Sequence, residues 1–266
     1  MATTRPAPPE CVGFLLRNVE WDVYRKLRDD EAHDSYRMTY LDGKLEITSG
    51  LFAFESMTLH NVEWAVYKGL RGDPANDGLR MEYLDGDLTI MSPQLRHDNN
   101  SRRLLYVVTA VARAWRVRLL PIGATTLNRE GEAEIRGVGK EPDEGFYLGD
   151  DEARVRDNET LDLAVDPPPS LAIEVDNTAT SESALPAYAR IGVPEVWIYK
   201  VREHAVWFGG LVDGKYATID RSLGLPRLTP ALVLQALDAR LGGLDELDWL
   251  DWLDAWARGL PEPLAR

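Results

Sequence analysis

The side chains best suited to chemistry are carboxylates gathered in two short stretches, Glu141-Pro142-Asp143-Glu144 and Leu171-Ala172-Ile173-Glu174-Val175-Asp176. The second is an apolar run broken only by acids and bounded upstream by Asp166-Pro167-Pro168-Pro169, which reads as a buried strand after a proline stop. A carboxylate facing into the surroundings of such a strand is costly unless it meets a cation or a full set of donors. Glu174 therefore requires a partner. A divalent metal shared with Asp143 is one candidate; an ordinary salt bridge at the solvent end of the strand is the other. Spacing alone leaves both open.

The elements that must position these acids are legible on either side. Leu185 to Trp197 reads as a short helix, a stop at Gly192 and a second buried strand. Leu119–Asn128 is expected as a strand beside the one carrying Asp143, with a polar, Gly-rich loop from Arg129 to Gly139. Beyond Trp197, strands are expected at 197–200, 205–208 and 216–219, with Asp213-Gly214 as a hairpin turn. Thr229-Pro230 opens a C-terminal helix, and Leu244 to Arg258 forms another. The latter's Trp249, Trp252, Leu253 and Trp256 stripe fits core packing or a homodimer contact, opposite an acidic face of Asp245, Asp248 and Asp251.

The N-terminal part is duplicated. Asn18-Val19-Glu20-Trp21-x-Val23-Tyr24 returns as Asn61-Val62-Glu63-Trp64-x-Val66-Tyr67, and Arg37-Met38-x-Tyr40-Leu41-Asp42-Gly43 returns as Arg80-Met81-x-Tyr83-Leu84-Asp85-Gly86. The offset is about 43 residues, and only two copies occur. Each copy predicts a helix, N-capped by Asn18 or Asn61, followed by a hairpin with a type I′ Asp-Gly turn. Their Trp and Tyr residues are assigned to the core.

Composition narrows the function classes. The chain has 266 residues with 44% hydrophobic and 28% charged content, enough for a sizeable core. One cysteine, Cys11, excludes an internal disulfide and a Cys-rich zinc site, and a cytoplasmic location is expected. No apolar run approaches a membrane span, and Met1–Pro6 is too polar for a signal peptide, so no membrane partner is expected. A net charge of −14 opposes non-specific attraction to phosphate backbones. There is no Gly-x-Ser-x-Gly elbow, no obvious Ser partner for His33, His60, His97 or His204, and no phosphate-cradling Gly-rich loop followed by Lys.

Three motifs taken together carry a resemblance: Glu-Pro-Asp-Glu-x-Phe-Tyr (141–147), Asp-Pro-Pro-Pro-x-Leu with the Ile-Glu-Val-Asp strand (166–176), and Leu-Pro-x-Tyr-Ala…Gly-Val-Pro-Glu-Val-Trp (185–197). They resemble the Uma-type family of restriction endonucleases, a bacterial branch of the PD-(D/E)xK nuclease superfamily, more loosely from residue 61 to near Tyr216. The resemblance implies an α/β fold with a restriction-endonuclease-like core, a central mixed β-sheet flanked by helices. To this are added the duplicated helix-hairpin unit and the C-terminal helices. The expected divisions are a tail at 1–16, the first repeat as an appended lobe at 17–59, the core at 60–222 and C-terminal helices at 223–266.

What the family implies for chemistry is hydrolysis of DNA phosphodiester bonds with Mg²⁺, for which Mn²⁺ would substitute. Asp143 and Glu174 are the expected ligands, joined by the carbonyl of Val175, because Mg²⁺ favours hard oxygen donors. Glu141 and Asp176 are secondary candidates, and Glu144 a supporting or surface charge. His97, after Ser92-Pro93 at the start of a long helix expected from Asn99, fits either a structural role or a place near the scissile phosphate. Glu82 stands where many relatives carry Glu, although the first copy has Thr39 there. The family's lysine, four residues before the Tyr of the Leu-Pro-x-Tyr block, is Ala184 here, so Lys140 or Arg190 would have to replace it. That departure sustains a second reading, a catalytically degenerate protein acting as a binding or oligomerisation module.

Overall fold

The computed structural model describes residues 13–49, 56–91, 95–131, 137–176 and 181–261. The tail up to residue 12, the segments 50–55 and 92–94, and the middle of the 129–139 loop lie outside the described residues. The protein is mixed α/β and divides into two compact units: Met1–Pro93 with Glu132–Gly137, and Gln94–Gly131 with Val138–Arg266.

In the first unit the duplication is structural. The first copy runs β1 (Gly13–Leu16), α1 (Trp21–Arg28), a 3₁₀ turn at Glu31–His33, β2 (Tyr36–Leu41) and β3 (Lys44–Ser49). The second runs β4 (Ser56–Leu59), α2 (Trp64–Arg71), a 3₁₀ turn at Pro74–Asn76, β5 (Arg80–Leu84) and β6 (Asp87–Met91). Strand β3 pairs antiparallel with β1 and β2, and β6 likewise with β4 and β5. The Asp-Gly turns have the positive φ that a type I′ hairpin needs: Asp42 48°, Gly43 76°, Asp85 52° and Gly86 98°. Matching residues of both copies, including Leu16 with Leu59, Val19 with Val62, and Ile47 with Ile90, fill one hydrophobic core.

Two expectations change here. Each copy begins with a strand that the helix-and-hairpin reading lacks. Asn18 and Asn61 are not helix caps: Glu20 and Glu63 occupy the cap positions, and both asparagines sit at φ 55° in the left-handed region that Asn tolerates. Their side chains tie the copies together instead. Asn18 Nδ2 donates to Asp73 at 2.6 Å, and Asn61 Nδ2 donates to Asp30 at 2.8 Å. The exchange is repeated deeper in the unit. His33 bridges Leu27 O (2.6 Å) and the N–H of His60 (2.7 Å), while Asn76 bridges Leu70 O (3.0 Å) and the N–H of Arg17 (2.9 Å). With a 43-residue offset these are equivalent bonds running in opposite directions, the reciprocity of a two-fold interface inside one chain.

The second unit opens with α3 (Leu95–Ala114), four residues earlier than expected, followed by β7 (Leu119–Pro121), β8 (Leu127–Arg129), β9 (Val138–Lys140), β10 (Glu144–Leu148) and α4 (Asp150–Val155). Then come β11 (Leu171–Asp176), α5 (Leu185–Ile191), β12 (Glu195–Lys200), β13 (Ala205–Val212), β14 (Lys215–Thr218), α6 (Pro230–Leu241) and α7 (Glu246–Gly259). Six strands form a mixed sheet in the order β14-β13-β12-β11-β10-β7. Only β11 and β12 run parallel, which demands a crossover, and α5 lies on it. Gly192 ends α5 at φ 90°, a left-handed cap that glycine adopts without strain. Thr229 caps α6 by accepting from the N–H of Leu232 at 3.3 Å.

One face of this sheet is covered by α3 and α6, with α7 packed against those two helices. Its core includes Val107, Val111, Phe146, Leu148, Ile173, Val175, Trp197, Trp249 and Leu253. The Trp197 and Phe208 rings stack at 4.2 Å. The α7 stripe is accounted for in part by this core: Trp249 is fully buried with its indole N–H on Ala236 O at 2.9 Å, and Trp252 stacks on Trp256 at 5.9 Å. Among the described residues no helix is long and apolar enough to cross a membrane.

Candidate active site

Strand alternation decides which acids meet. Ile173 and Val175 of β11, with Phe146 and Leu148 of β10, face the helices, so Glu174 points to the opposite face. The ladder sets Glu144 against Ile173, which brings Asp143 beside Glu174 on that opposite face and leaves Glu144 on the side of α3. Asp143 is fixed at both ends. Its N–H donates to Ile173 O at 3.1 Å, and its Oδ2 accepts from the N–H of Val175 at 2.7 Å, so the carboxylate takes over the next ladder bond.

Two further side chains close on Glu174. The Lys140 ammonium, at the end of β9, lies 2.9 Å from Glu174 Oε1 and donates to Glu141 O at 3.3 Å. The Tyr188 hydroxyl, from α5, donates to the same Oε1, and the Tyr188 ring centroid is 5.4 Å from the ammonium. Lys140 is 1% and Glu174 5% exposed, so this is a buried ion pair and not a salt bridge at a solvent end. A buried pair is sustained only when further hydrogen bonds satisfy it, and Tyr188 and Glu141 O supply them.

The neighbouring acids have contacts of their own. Glu141 accepts at Oε1 from the Thr126 hydroxyl at 2.9 Å. Burial pushes the Glu144 carboxyl up to about 7, with the Arg102 guanidinium pulling it down and the Asp143 charge adding to the rise. Asp176 ends β11, 9% exposed, and its carbonyl accepts from the N–H of Val201 at 2.9 Å. Glu195 is a buried acid the sequence did not single out, although its place in a Pro-Glu-Val-Trp strand start was visible. It accepts from Trp197 Nε1 (2.5 Å), Ser222 Oγ (3.1 Å) and the N–H groups of Leu223 (2.9 Å) and Gly224 (3.2 Å). Burial drives its carboxyl upward against these four donors.

Ala184 immediately precedes α5 and is buried. Arg190 is held through its carbonyl, which accepts from Arg129 at 3.3 Å. Glu82 is on β5 of the first unit. His97 and Asp98 fall in the first turn of α3, and their side chains lie outside the described residues. Tyr188 was visible only as part of a motif; its role as a partner of Glu174 was not.

Residues 64–242, which contain all of these second-unit groups, match the family described as "Uma2: Putative restriction endonuclease". The chain belongs to this family. Among solved structures, a "putative nuclease" from Anabaena variabilis ATCC 29413 is similar at 14% identity, covering 72% of this chain and 99% of that chain, with a TM-score of 0.42. No curated protein matches the chain.

Membership of a family with that description raises the question of a metal. Among the described residues no three His, Cys, Asp or Glu side chains converge into a ready cage. Glu174 on β11 and Asp143, the residue before β10, are nevertheless hard oxygen donors of the kind Mg²⁺ favours, although Glu174 already carries the Lys140 ammonium.

Proposed function

We propose that this Uma2 protein is a Mg²⁺-dependent endonuclease that hydrolyses DNA phosphodiester bonds, with Asp143, Glu174 and Lys140 as its working groups. The observation that carries the reading is the Lys140–Glu174 contact of 2.9 Å beside the anchored Asp143. It gives Glu174 an ammonium even though position 184 is alanine.

Asp143, Glu174 and the Val175 carbonyl would hold Mg²⁺, with Mn²⁺ as substitute; when bound, the ion would supply Lewis-acid stabilisation of the phosphate and a more acidic attacking water. Asp143 is preorganised for this role because its second oxygen is fixed by the Val175 N–H. Lys140 takes the task of the missing lysine, orienting the attacking water and balancing charge that develops on the phosphate oxygens. Tyr188 holds the Glu174 carboxylate in orientation. The expected partners are DNA as substrate and a second copy of the chain as a homodimer, and His97 remains a supporting candidate.

The test is nicking of supercoiled plasmid by the pure protein with Mg²⁺ or Mn²⁺. Activity that requires the ion and disappears in Asp143→Ala and Glu174→Ala supports the reading. Activity unchanged in both variants would falsify the site.

A further inference from the structure

We infer that Lys140 and the divalent cation compete for Glu174, so that metal loading moves the ammonium off the carboxylate and frees it for the reacting phosphate. This rests on the reading of Glu174 as a metal ligand, and goes beyond it by making the lysine a stored group rather than a fixed one.

Glu174 Oε1 accepts from both the Lys140 ammonium and the Tyr188 hydroxyl, and both members of the ion pair are almost wholly buried. The ammonium is thus the charge that compensates Glu174 in the metal-free protein. A divalent ion brought onto the same carboxylate would place two positive centres within a few ångströms of each other, away from bulk water. Like charges there repel far more strongly than at the surface. The ion carries twice the charge and approaches an oxygen to about 2.1 Å, closer than any ammonium, so it takes the carboxylate.

Lys140 has somewhere to go. Its second hydrogen bond is to Glu141 O at 3.3 Å, which does not involve Glu174. The face of the Tyr188 ring, 5.4 Å from the ammonium, offers a cation–π seat that survives the exchange. Tyr188 also keeps its hydroxyl on Oε1, so the carboxylate stays oriented while its cationic partner changes. A lysine arriving from β9 rather than from position 184 can therefore serve two states in succession: neutralising Glu174 without metal, and facing substrate with it.

The experiment is calorimetric titration of the full-length protein with MnCl₂, comparing wild type with Lys140→Met, alongside the plasmid assay. Removing the competitor is expected to tighten Mn²⁺ binding on the order of tenfold, the usual size of coupling between two ligands, while nicking falls. Binding that is equal or weaker in a folded Lys140→Met protein, including no binding in either, overturns the inference. Should that variant fail to fold, lysine ammonium NMR of the wild type decides. A Lys140 resonance, assigned with Lys140→Arg, is expected to shift on addition of Mg²⁺, and an unmoved resonance overturns the exchange. Tighter Mn²⁺ binding by Lys140→Met without any nicking by the wild type would leave the exchange standing and remove the endonuclease reading.

Discussion

The parallel pair β11–β12 carries a buried glutamate towards each end, and the two are treated differently. Glu195 opens β12 and is surrounded by four uncharged donors from Trp197, Ser222, Leu223 and Gly224. Glu174 lies towards the carboxyl end of β11 and meets a buried ammonium and a phenol. The first arrangement pins the 222–224 segment to the sheet and leaves little for the carboxylate to do. The second holds a charge that, on the proposal above, another cation would replace. In open α/β sheets ligands gather at the carboxyl ends of parallel strands, and Glu174 is the one at that end. On the proposed reading, burial alone does not mark a working acid; the kind of partner does.

The comparison breaks most readily at turnover. Glu174→Gln should lower nicking by about 10²–10³, as expected for loss of a charged group at the reacting centre, whereas Glu195→Gln should leave the residual rate per folded molecule near wild type. Equal losses in plasmid assays would erase the distinction. On stability, urea unfolding should show Lys140→Met alone costing about 3–5 kcal/mol, because it leaves Glu174 buried without its cation. Adding Glu174→Gln should recover much of that loss, and simple additivity would mean the pair is not coupled.

Smaller effects sharpen the picture. Tyr188→Phe keeps the ring against Lys140 and removes one bond to a charged oxygen, an expected loss of about 1.5–3 kcal/mol in the same unfolding experiment. Glu144 gives a pH signature. Its folded value of about 7 lies above the ordinary 4.5, so the fold keeps a proton that the unfolded chain has already released. Its contribution is fully present below the unfolded value and is lost as pH rises through about 7. Wild type should therefore lose stability relative to Glu144→Gln between acidic and mildly alkaline buffer, and parallel curves would show that burial does not hold the proton. The smallest change expected is at His33→Asn, about 0.5 kcal/mol or less, because Asn76 already makes the same two backbone contacts in the other copy.

Much of this architecture was legible in the residues. The apolar runs at 171–176 and 195–200, the Asp-Gly turns and the Thr229-Pro230 helix start all report local preferences, and the structure follows them. Strands β1 and β4 are not legible as a repeat because Gly13-Phe14-Leu15-Leu16 and Ser56-Met57-Thr58-Leu59 have only their last residue in common, although both enter the same core. Asn18 and Asn61 were misleading for a related reason. An Asn before a helix usually caps it, and here a contact distant in sequence claims the side chain instead. At the candidate site the residue types Asp143, Glu174 and Lys140 could be named in advance. That Lys140 reaches Glu174, and Tyr188 with it, depends on how β9 and α5 come together over the sheet, which no local pattern encodes.

The mirrored bonds of the duplicated unit have a mechanical consequence. Each half supplies the groups that quiet the other's backbone, so neither is complete by itself, and damage to one side takes partners from both. The pair should open in a single melting step, and a chain stripped of its first fifty-odd residues would expose half of a shared interior rather than lose a dispensable appendage.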